Sequence, residues 1–458
     1  IDALAAHASD ELKDKYLPNL ITGKWTATMN LTESHAGSDL STLKTRAEPA
    51  GDHYLIRGQK IYITWGEHDM TDNIVHIVLA PMTDAPPGNK GLSLFLVPKF
   101  LVNEDGSLGE RNDVRVMSTE HKLGIHASPT CVMGFGENGG AIGYLIGEPG
   151  DGLACMFTLM NHARLEVGLQ GVALSERSYQ DALGYAKDRV QGRDSETGEP
   201  AAIIQHADVQ RMLMCMKSLT EAMRGLTYDG AFAHDFRIHG KDEDERRHFN
   251  ERFALLTPLV KAWCTELVNE VTSIGIQVHG GMGFIEETGA AQHYRDARIS
   301  SIYEGTNGIQ ANDLVGRKVL RDQGAALGSY LEEILETAER IESDERLKPI
   351  AVKLKEAVEN LQSASHYVIE NAPSSQKFVG AVAYNFLMMM GYVAGAWYMA
   401  RSAEKAVAEL EGSDKAFYER KLASVNFYFA QILPRHKGYQ EAVISGAEIG
   451  VSLNEACF

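Results

Sequence analysis

The residues with the clearest capacity for chemistry lie between positions 294 and 310, where the chain reads YRDARISSIYEGTNGIQ. Glu304 is followed at once by Gly305, a residue whose missing Cβ leaves the backbone free to bend. Thr306 is of a type that caps the start of a helix with its hydroxyl group. The spacing therefore predicts a carboxylate in a joint between two helices, where it could face a pocket and act as a base. The alternative is that Glu304 only complements the positive end of a helix dipole.

Three further stretches contain residues suited to holding a ligand. Residues 29–39 (MNLTESHAGSD) are rich in small and hydroxyl side chains, which let backbone N–H groups approach a phosphate or a planar ring. Residues 58–64 (GQKIYIT) predict a strand with Tyr62 and Thr64 on one face, where they could flank a flat heterocycle or form an ordinary strand surface. Residues 277–284 (QVHGGMGF) predict a glycine-rich turn leaving a helix, which is a C-cap more often than a ligand loop.

Composition narrows the class of protein. The 458 residues are enough for two or three domains, and 44 basic against 62 acidic residues leave a net charge of −18. Such an acidic chain argues against nucleic acid or an anionic membrane as a partner. The five cysteines form no CxxC pair, which favours a reducing compartment without a disulfide framework, and we expect no metal site. The chain starts at Ile1 rather than Met, so we expect a piece of a longer protein, whose upstream targeting sequence would be invisible here.

The first part of the chain has the pattern of a β domain preceded by a helix. Residues 1–18 predict a short amphipathic helix ended by Pro18. From about residue 26 the alternation of apolar and polar residues predicts strands, with a hairpin centred on residues 57–59. Further strands are expected at 74–80 and 92–97.

Helical patterns dominate the rest of the chain. Long apolar-periodic segments at 157–187, 207–234 and 250–276, with another helix after Tyr303, predict an antiparallel bundle. More helices follow position 320, over 325–363 and 377–458. The predicted fold class is therefore α+β: a central antiparallel β domain, then an antiparallel helical bundle, then a C-terminal helical domain, with boundaries at 1–152, 153–320 and 321–458.

One segment of the C-terminal block has two interpretations. Residues 378–400 carry no charged side chain over a length that could cross a bilayer. Their Ala, Gly, Tyr and Met content is weaker in hydropathy than a Leu/Ile/Val span. We therefore expect a buried core helix and no membrane span.

Taken in order, these motifs resemble the acyl-CoA dehydrogenase family over about residues 10–318. The matching patterns are the flavin loop (LTE at 31–33, AGSD at 36–39), the strand GQKxxIT (58–64), the adenosine-side glycine turn (277–284) and the base-bearing RDA…IYEGT (295–297 and 302–306). Segments 122–128 and 147–152 are also similar. Two departures are Ser34-His35 in place of a Pro-containing pair and Tyr62 in place of Trp.

The block after residue 320 resembles the extra helical domain of a longer subclass of the family. That subclass includes the 3-methylmercaptopropionyl-CoA dehydrogenases of dimethylsulfoniopropionate breakdown and some broad-range fatty acyl-CoA dehydrogenases. Its members carry an N-terminal helical domain that has no counterpart in this sequence, so we expect an N-terminal truncation that affects one wall of the acyl pocket.

The resemblance implies FAD-dependent α,β-dehydrogenation of an acyl-CoA thioester to the trans-2-enoyl-CoA. Glu304 would be the base, and its backbone N–H, with a flavin ribityl hydroxyl, would polarise the thioester oxygen. The expected partners are an acyl-CoA substrate, an electron-transfer flavoprotein as electron acceptor and further copies of the chain in a dimer or tetramer. The expected location is the bacterial cytoplasm.

The resemblance also assigns roles position by position, because each residue below matches a family motif. Arg164 has an alternative role in an ion pair within its own helix. The FAD-binding residues would be Met29, Leu31, Thr32, Ser38, Tyr62, Thr64, Arg189, Gln191, Gln277, Gly280, Gly281, Thr306, Asn307 and Gly308. The substrate-binding residues would be Ser38, Asn161, Arg164 and Gly305.

Two other functions are compatible with the same motifs. An acyl-CoA oxidase has the same fold and base but passes its electrons to dioxygen, so oxygen uptake on addition of substrate distinguishes it. A non-catalytic helical scaffold could keep the fold without the reaction, and it would purify without FAD. Intact Glu304, Thr32 and Gly305 argue against the scaffold.

Overall fold

The computed structural model describes all 458 residues, which divide into two compact units, residues 1–162 and 163–458. The first unit holds the sheet and the second holds most of the helices. The division of the chain into three domains stays a prediction.

The first unit begins with two helices, α1 (Asp2–His7) and α2 (Asp10–Ile21). The hydroxyl of Ser9 accepts the N–H of Leu12 and caps the second helix. The prediction of one helix ended by Pro18 is therefore wrong: the break falls at residues 8 and 9, and α2 continues through Pro18. The buried face of α2 extends past the proline to Leu20, and this burial outweighs the single backbone hydrogen bond that proline cannot make.

A mostly antiparallel sheet forms the body of this unit. Its seven-strand path runs β1-β4-β5-β10-β3-β9-β8 with β2 on β3, and only the β1–β4 pair is parallel. The strands predicted at 74–80 and 92–97 are confirmed as the central, buried β4 and β5. The strands are β1 (Trp25–Asn30), β2 (Arg46–Ala50), β3 (His53–Thr64), β4 (Asn73–Pro81), β5 (Leu92–Pro98), β6 (Phe100–Val102), β7 (Leu108–Arg111), β8 (Val114–Thr119), β9 (Thr130–Phe135) and β10 (Ala141–Ile146).

The hairpin predicted at residues 57–59 is wrong. Strand β3 runs straight through that point, and the turn lies at Gly51, with a φ of +79°, between β2 and β3. Gly58 marks the position where β3 changes partner from β2 to β9. A Cβ on Gly58 would lie 2.7 Å from the Cα of Thr45, so the glycine permits a close approach of two backbones rather than a reversal of the chain.

The second unit is an assembly of long helices. The predicted helices at 157–187, 207–234 and 250–276 are confirmed, and each extends a few residues further than expected. A small hairpin, β11 (Val190–Arg193) and β12 (Pro200–Ala202), follows the first of them. The helices are α3 (Gly152–Asp188), α4 (Ala207–His239), α5 (Glu243–His279), α6 (Ala290–Arg298), α7 (Asn307–Asp313), α8 (Ala325–Ile341), α9 (Lys348–Asn371), α10 (Phe378–Ala408), α11 (Lys415–Phe427), α12 (Arg435–Ile444) and α13 (Ala447–Ser452).

Helix α10 is the centre of the C-terminal helices. It is long and apolar enough to satisfy the composition test for a membrane span, but 72% of its most apolar window is buried within the protein. Trp263 of α5 packs against it at Gly391 and Gly395, and the Tyr428 hydroxyl donates to the carbonyl of Tyr392, 2.9 Å away. These contacts support the interpretation of a core helix.

We expect Gly391→Ala to lower the free energy of unfolding. The new Cβ would lie within 2.6 Å of Trp263 Nε1, and overpacking of this kind costs about 1–3 kcal/mol. Chemical denaturation followed by far-UV circular dichroism measures the change. The matched control is Gly380→Ala in the same helix, where a Cβ meets nothing within 4 Å and stability should rise by at most about 1 kcal/mol. Equal effects of the two substitutions would contradict the packing argument.

Candidate active site

Glu304 lies in the short joint that separates two helical segments of the second unit. A turn of 3₁₀ helix ends at Ser301, and α7 begins at Asn307. The hydroxyl of Thr306 accepts the N–H of Ile309 at 3.2 Å, so the predicted N-cap is confirmed. Between these elements Glu304 and Gly305 both adopt left-handed backbone conformations, with φ values of +55° and +84°.

Two contacts explain how this strained joint persists. The buried side chain of Gln310 donates to the carbonyl oxygens of both Glu304 and Gly305, at 3.3 Å each. A Cβ on Gly305 would lie 2.6 Å from Gln310 Nε2, and the φ of +84° is a conformation that other residues rarely adopt, so both features favour glycine there. A non-glycine residue in the left-handed region costs on the order of 1–3 kcal/mol, and such residues cluster at functional sites. The conformation of Glu304 is therefore a first sign of function.

The carboxyl group of Glu304 is poorly solvated. Its Oε2 atom is buried and has no hydrogen-bond partner. Burial raises the pKa of this carboxyl above its ordinary value, and the positive charges of Arg164 and Lys261 oppose the rise. Burial and the neighbouring Glu304 also raise the pKa of Tyr303 to about 12. A carboxyl group with a raised pKa and an unsatisfied oxygen is suited to accept a proton and differs from a carboxylate that caps a helix.

Arg164 is a buried residue of α3 that lies beside the joint. Its Nη2 atom is 3.5 Å from the position that a Cβ on Gly305 would occupy. Burial lowers the pKa of the guanidinium, while Asp313 and Glu304 favour its charged form. Two of the predicted substrate residues, Arg164 and Gly305, therefore come together around Glu304. Asn161 is half-buried, three residues earlier in α3.

The predicted flavin loop in the first unit is built on a buried ion pair. Lys60 is fully buried and donates to the carbonyl of Leu31 at 2.8 Å and to Glu33 Oε1 at 2.9 Å. Glu33 also accepts the backbone N–H groups of Lys44 (2.8 Å) and Thr45 (3.0 Å). Burial lowers the pKa of Lys60 to about 8, and Glu33 opposes this. One carboxylate and one ammonium thus hold both ends of the loop.

The sequence interpretation missed this pair. Lys60 and Glu33 both lie in motifs described above. The signal in the sequence was a single cation in a predicted strand and a single anion in a loop of small residues. Burial would raise the pKa of Glu33, but the Lys60 charge and the hydrogen bonds from the loop lower it below its ordinary value.

Most flavin candidates of the first unit expose suitable groups. Tyr62, 62% exposed with a φ of +61°, lies in the irregular segment of β3 between Lys60 and Ile63. Thr64, Thr32 and Ser38 are exposed or half-buried, whereas Leu31 is buried and Met29 packs against the core. Leu31 would therefore contribute its backbone. An exposed ring and hydroxyls beside a rigid loop fit the flat heterocycle of FAD.

The remaining FAD candidates of the second unit cluster at one end of the bundle. The rings of Tyr185 in α3 and His279 in α5 lie 4.5 Å apart, which brings the residues after α3 close to the glycine turn after α5. A Cβ on Gly280 or Gly281 would meet nothing within 4 Å, so the backbone there is open to a ligand. The neighbouring candidates Arg189, Gln191 and Gln277 are all exposed.

Asn307 is a different case from the other cofactor candidates. Its Oδ1 accepts from Lys261 and Thr265, both at 3.0 Å, and its Nδ2 donates to Ala262 O and Glu266 Oε2. The side chain is fully committed inside the bundle, so only its backbone is open to a cofactor. Thr306 is half-buried and Gly308 is exposed.

Comparison with known proteins defines the family. The middle-domain model of the acyl-CoA dehydrogenases matches residues 28–137, and their C-terminal-domain model matches residues 150–319. A third model, described as acetyl-CoA dehydrogenase C-terminal like, matches residues 330–453.

Individual relatives agree with the family models. The 3-methylmercaptopropionyl-CoA dehydrogenase of Ruegeria pomeroyi is 48% identical over 94% of this chain and 74% of its own length. A butyryl-CoA dehydrogenase of Syntrophomonas wolfei is 36% identical over 96% of this chain and 74% of its own length. An acyl-CoA dehydrogenase from Bacillus anthracis, solved in complex with FAD, is 22% identical and has the same fold, with a TM-score of 0.78 over 99% of this chain and 74% of that one.

The chain belongs to the acyl-CoA dehydrogenase family. The predicted fold class, the FAD cofactor and the dehydrogenation of an acyl-CoA are confirmed. The relatives are dehydrogenases, which does not favour the oxidase alternative.

We expect Lys60→Met to weaken FAD binding. The substitution removes the donor to Leu31 O and leaves Glu33 buried without its ammonium partner, and breaking a buried pair in this way is strongly destabilising. The dissociation constant for FAD should rise at least about tenfold, which corresponds to about 1.4 kcal/mol. Fluorescence titration of the apoprotein with FAD measures it. Lys44→Met, an equal loss of charge at an exposed position of the same loop, is the control and should bind FAD normally.

Proposed function

We propose that Glu304 removes the α-proton of the acyl-CoA in the FAD-dependent dehydrogenation of the thioester to the trans-2-enoyl-CoA. The observation that carries this role is the buried Oε2 atom without a partner, on a backbone joint built to hold it. The α-proton of a thioester is weakly acidic, so the base must have a proton affinity well above that of an exposed glutamate. Burial supplies that affinity, and Arg164 and Lys261 limit the rise so that the carboxylate form stays accessible.

The backbone of the same residue is suited to polarise the thioester. The N–H of Glu304 donates to no group of the chain. A fixed donor of this kind can bind the carbonyl oxygen as enolate character develops during proton removal. When bound, FAD supplies the acceptor for the hydride that leaves the β-carbon.

We propose FAD-binding residues in each of the two units, taken separately. In the first unit these are the backbone of residues 29–32, Ser38 and the exposed pair Tyr62 and Thr64. In the second unit they are the open glycine turn with Gln277, the exposed Arg189 and Gln191, and the backbone of residues 306–308. Arg164, Asn161, Ser38 and Gly305 would contact the substrate.

We propose a short, unbranched acyl chain as the substrate class, with 3-methylmercaptopropionyl-CoA as the first candidate. The relative that is named for that substrate is 48% identical, against 36% for the butyryl-CoA dehydrogenase. Both acyl groups are short and unbranched. Anaerobic titration of the FAD-loaded protein with acyl-CoAs of increasing length, followed by bleaching of the flavin, ranks the substrates.

We further propose that an electron-transfer flavoprotein accepts the electrons and that the protein is a homo-oligomer. Phe284, the last residue of the glycine turn, is 86% exposed, with Met282 and Ile285 exposed beside it. An apolar patch at a cofactor-binding turn supports coverage by another subunit.

All five cysteines are free, which is consistent with a reducing compartment such as the bacterial cytoplasm.

We expect Glu304→Gln to retain FAD and to lose flavin bleaching by substrate. The amide is isosteric but a very weak base, so the rate of reduction should fall by on the order of 10²–10⁴. Anaerobic stopped-flow absorbance with the preferred acyl-CoA measures it. Glu287→Gln, at an exposed position after the glycine turn, should reduce the flavin at the normal rate. Full bleaching by Glu304→Gln would mean that another group is the base.

A further inference from the structure

Lys261 is a fully buried lysine in the middle of α5. Its Nζ atom donates to Asn307 Oδ1 at 3.0 Å, and it is hydrogen-bonded to no carboxylate. A buried ammonium without a salt bridge is destabilising in isolation. Its position therefore calls for an explanation other than stability.

Asn307 connects this lysine to the joint that carries the base. It is the first residue of α7, three residues after Glu304. The Nδ2 side of its amide donates to Ala262 O and Glu266 Oε2, which forces Oδ1 to face a donor. Lys261 and Thr265 are the donors that it meets. Helix α5 thus sets the start of α7 through one amide group.

Charged groups from several helical elements act on Lys261 and Glu304. Lys261 is faced by Glu304, Arg164 and Glu266, and burial lowers its pKa to about 7. Glu304 is faced by Arg164, Lys261 and the hydroxyl of Tyr303. Asp313 and Arg317 act on Arg164 from the segment around α7. An arginine stays charged at every pH of interest, so Lys261 is the cation whose charge can change near neutrality.

We propose that Lys261 is a positioning residue for the reaction: its buried ammonium favours the carboxylate form of Glu304 and, through Asn307, holds the joint on which Glu304 sits. This inference rests on the proposed role of Glu304 as the base. Lys261 does not touch the substrate in this role. It acts on Glu304 through space and on the backbone through the amide of Asn307.

The direction of the effect follows from the charges. Removing a nearby positive charge raises the pKa of a carboxyl group. Without the ammonium, Glu304 therefore stays protonated to higher pH, and the acid limb of the kcat/KM profile moves in the alkaline direction. At pH values above the acid limb Glu304 is ionised in every variant, so kcat/KM returns to the wild-type value. A merely structural defect would lower the rate at all pH values.

Two substitutions separate the charge from the hydrogen bond. Lys261→Met removes both, whereas Lys261→Gln keeps an N–H donor for Asn307 and removes only the charge. We expect both to move the acid limb up by about one pH unit or more, which lowers kcat/KM about tenfold on the acid side. Lys217→Met, at a half-buried lysine of α4 in the same bundle, is the control and should leave the profile unchanged.

A readout other than activity tests the same point. The infrared carbonyl band of protonated Glu304, assigned by its absence in Glu304→Gln, should disappear at higher pH in both Lys261 variants of the FAD-loaded protein. A band with the wild-type midpoint in both variants would overturn the proposal. If Glu304→Gln itself bleaches fully, the assignment of the base fails; if it does not bleach but the Lys261 variants keep the wild-type acid limb, only the role of Lys261 fails.

A measurement on proteins that keep Lys261 tests the proposal even if the Lys261 variants do not fold. With lysine labelled by ¹³C at Cε, the wild type should show a buried lysine that titrates near neutral pH. In Glu304→Gln this midpoint should fall, because the negative charge of Glu304, which favours the charged form of Lys261, is gone. A lysine spectrum whose midpoints are the same in both proteins would overturn the coupling.

Discussion

The left-handed joint at Glu304 and Gly305 is the constraint on which the site depends. Two consecutive residues occupy a backbone region that is costly for Glu304, and they stay there because Gln310 binds both carbonyl oxygens from within the core. The cap at Thr306 and the amide network of Asn307 fix the next residues. The strain directs a carboxyl group into a buried place and leaves a backbone N–H without a partner inside the chain.

The electrostatics of the site are a balance between burial and two cations. Burial alone would neutralise Glu304 and leave it a poor base at the outset, whereas full pairing with a cation would make it too weak to take the α-proton. Arg164 and Lys261 oppose the effect of burial from two different helices, α3 and α5. The long helices of the second unit thus set the proton affinity of a residue that belongs to none of them.

The packing of the bundle provides the rigidity that this balance needs. Helix α5 presents Lys261, Trp263 and Thr265 within five residues: Lys261 and Thr265 contact Asn307, and Trp263 packs against two glycines of α10. The C-terminal helices therefore pack against α5, the same helix that supports the site. In the first unit the Lys60–Glu33 pair has an analogous role, since it holds the loop of residues 31–45 by side-chain contacts to its backbone.

The sequence alone determined the features that depend on short-range patterns. The order of four motifs identified the family, the residue type of Thr306 predicted its cap, and apolar periodicity predicted the long helices. The course of β3 was not predictable in this way, because glycine at position 58 reads equally well as a turn or as a close approach to Thr45. The continuation of α2 past Pro18 likewise depends on burial of Leu20. The partners Gln310, Lys261 and Lys60 emerged only from the tertiary structure, since each acts on a residue that packing, and not the local sequence, places beside it.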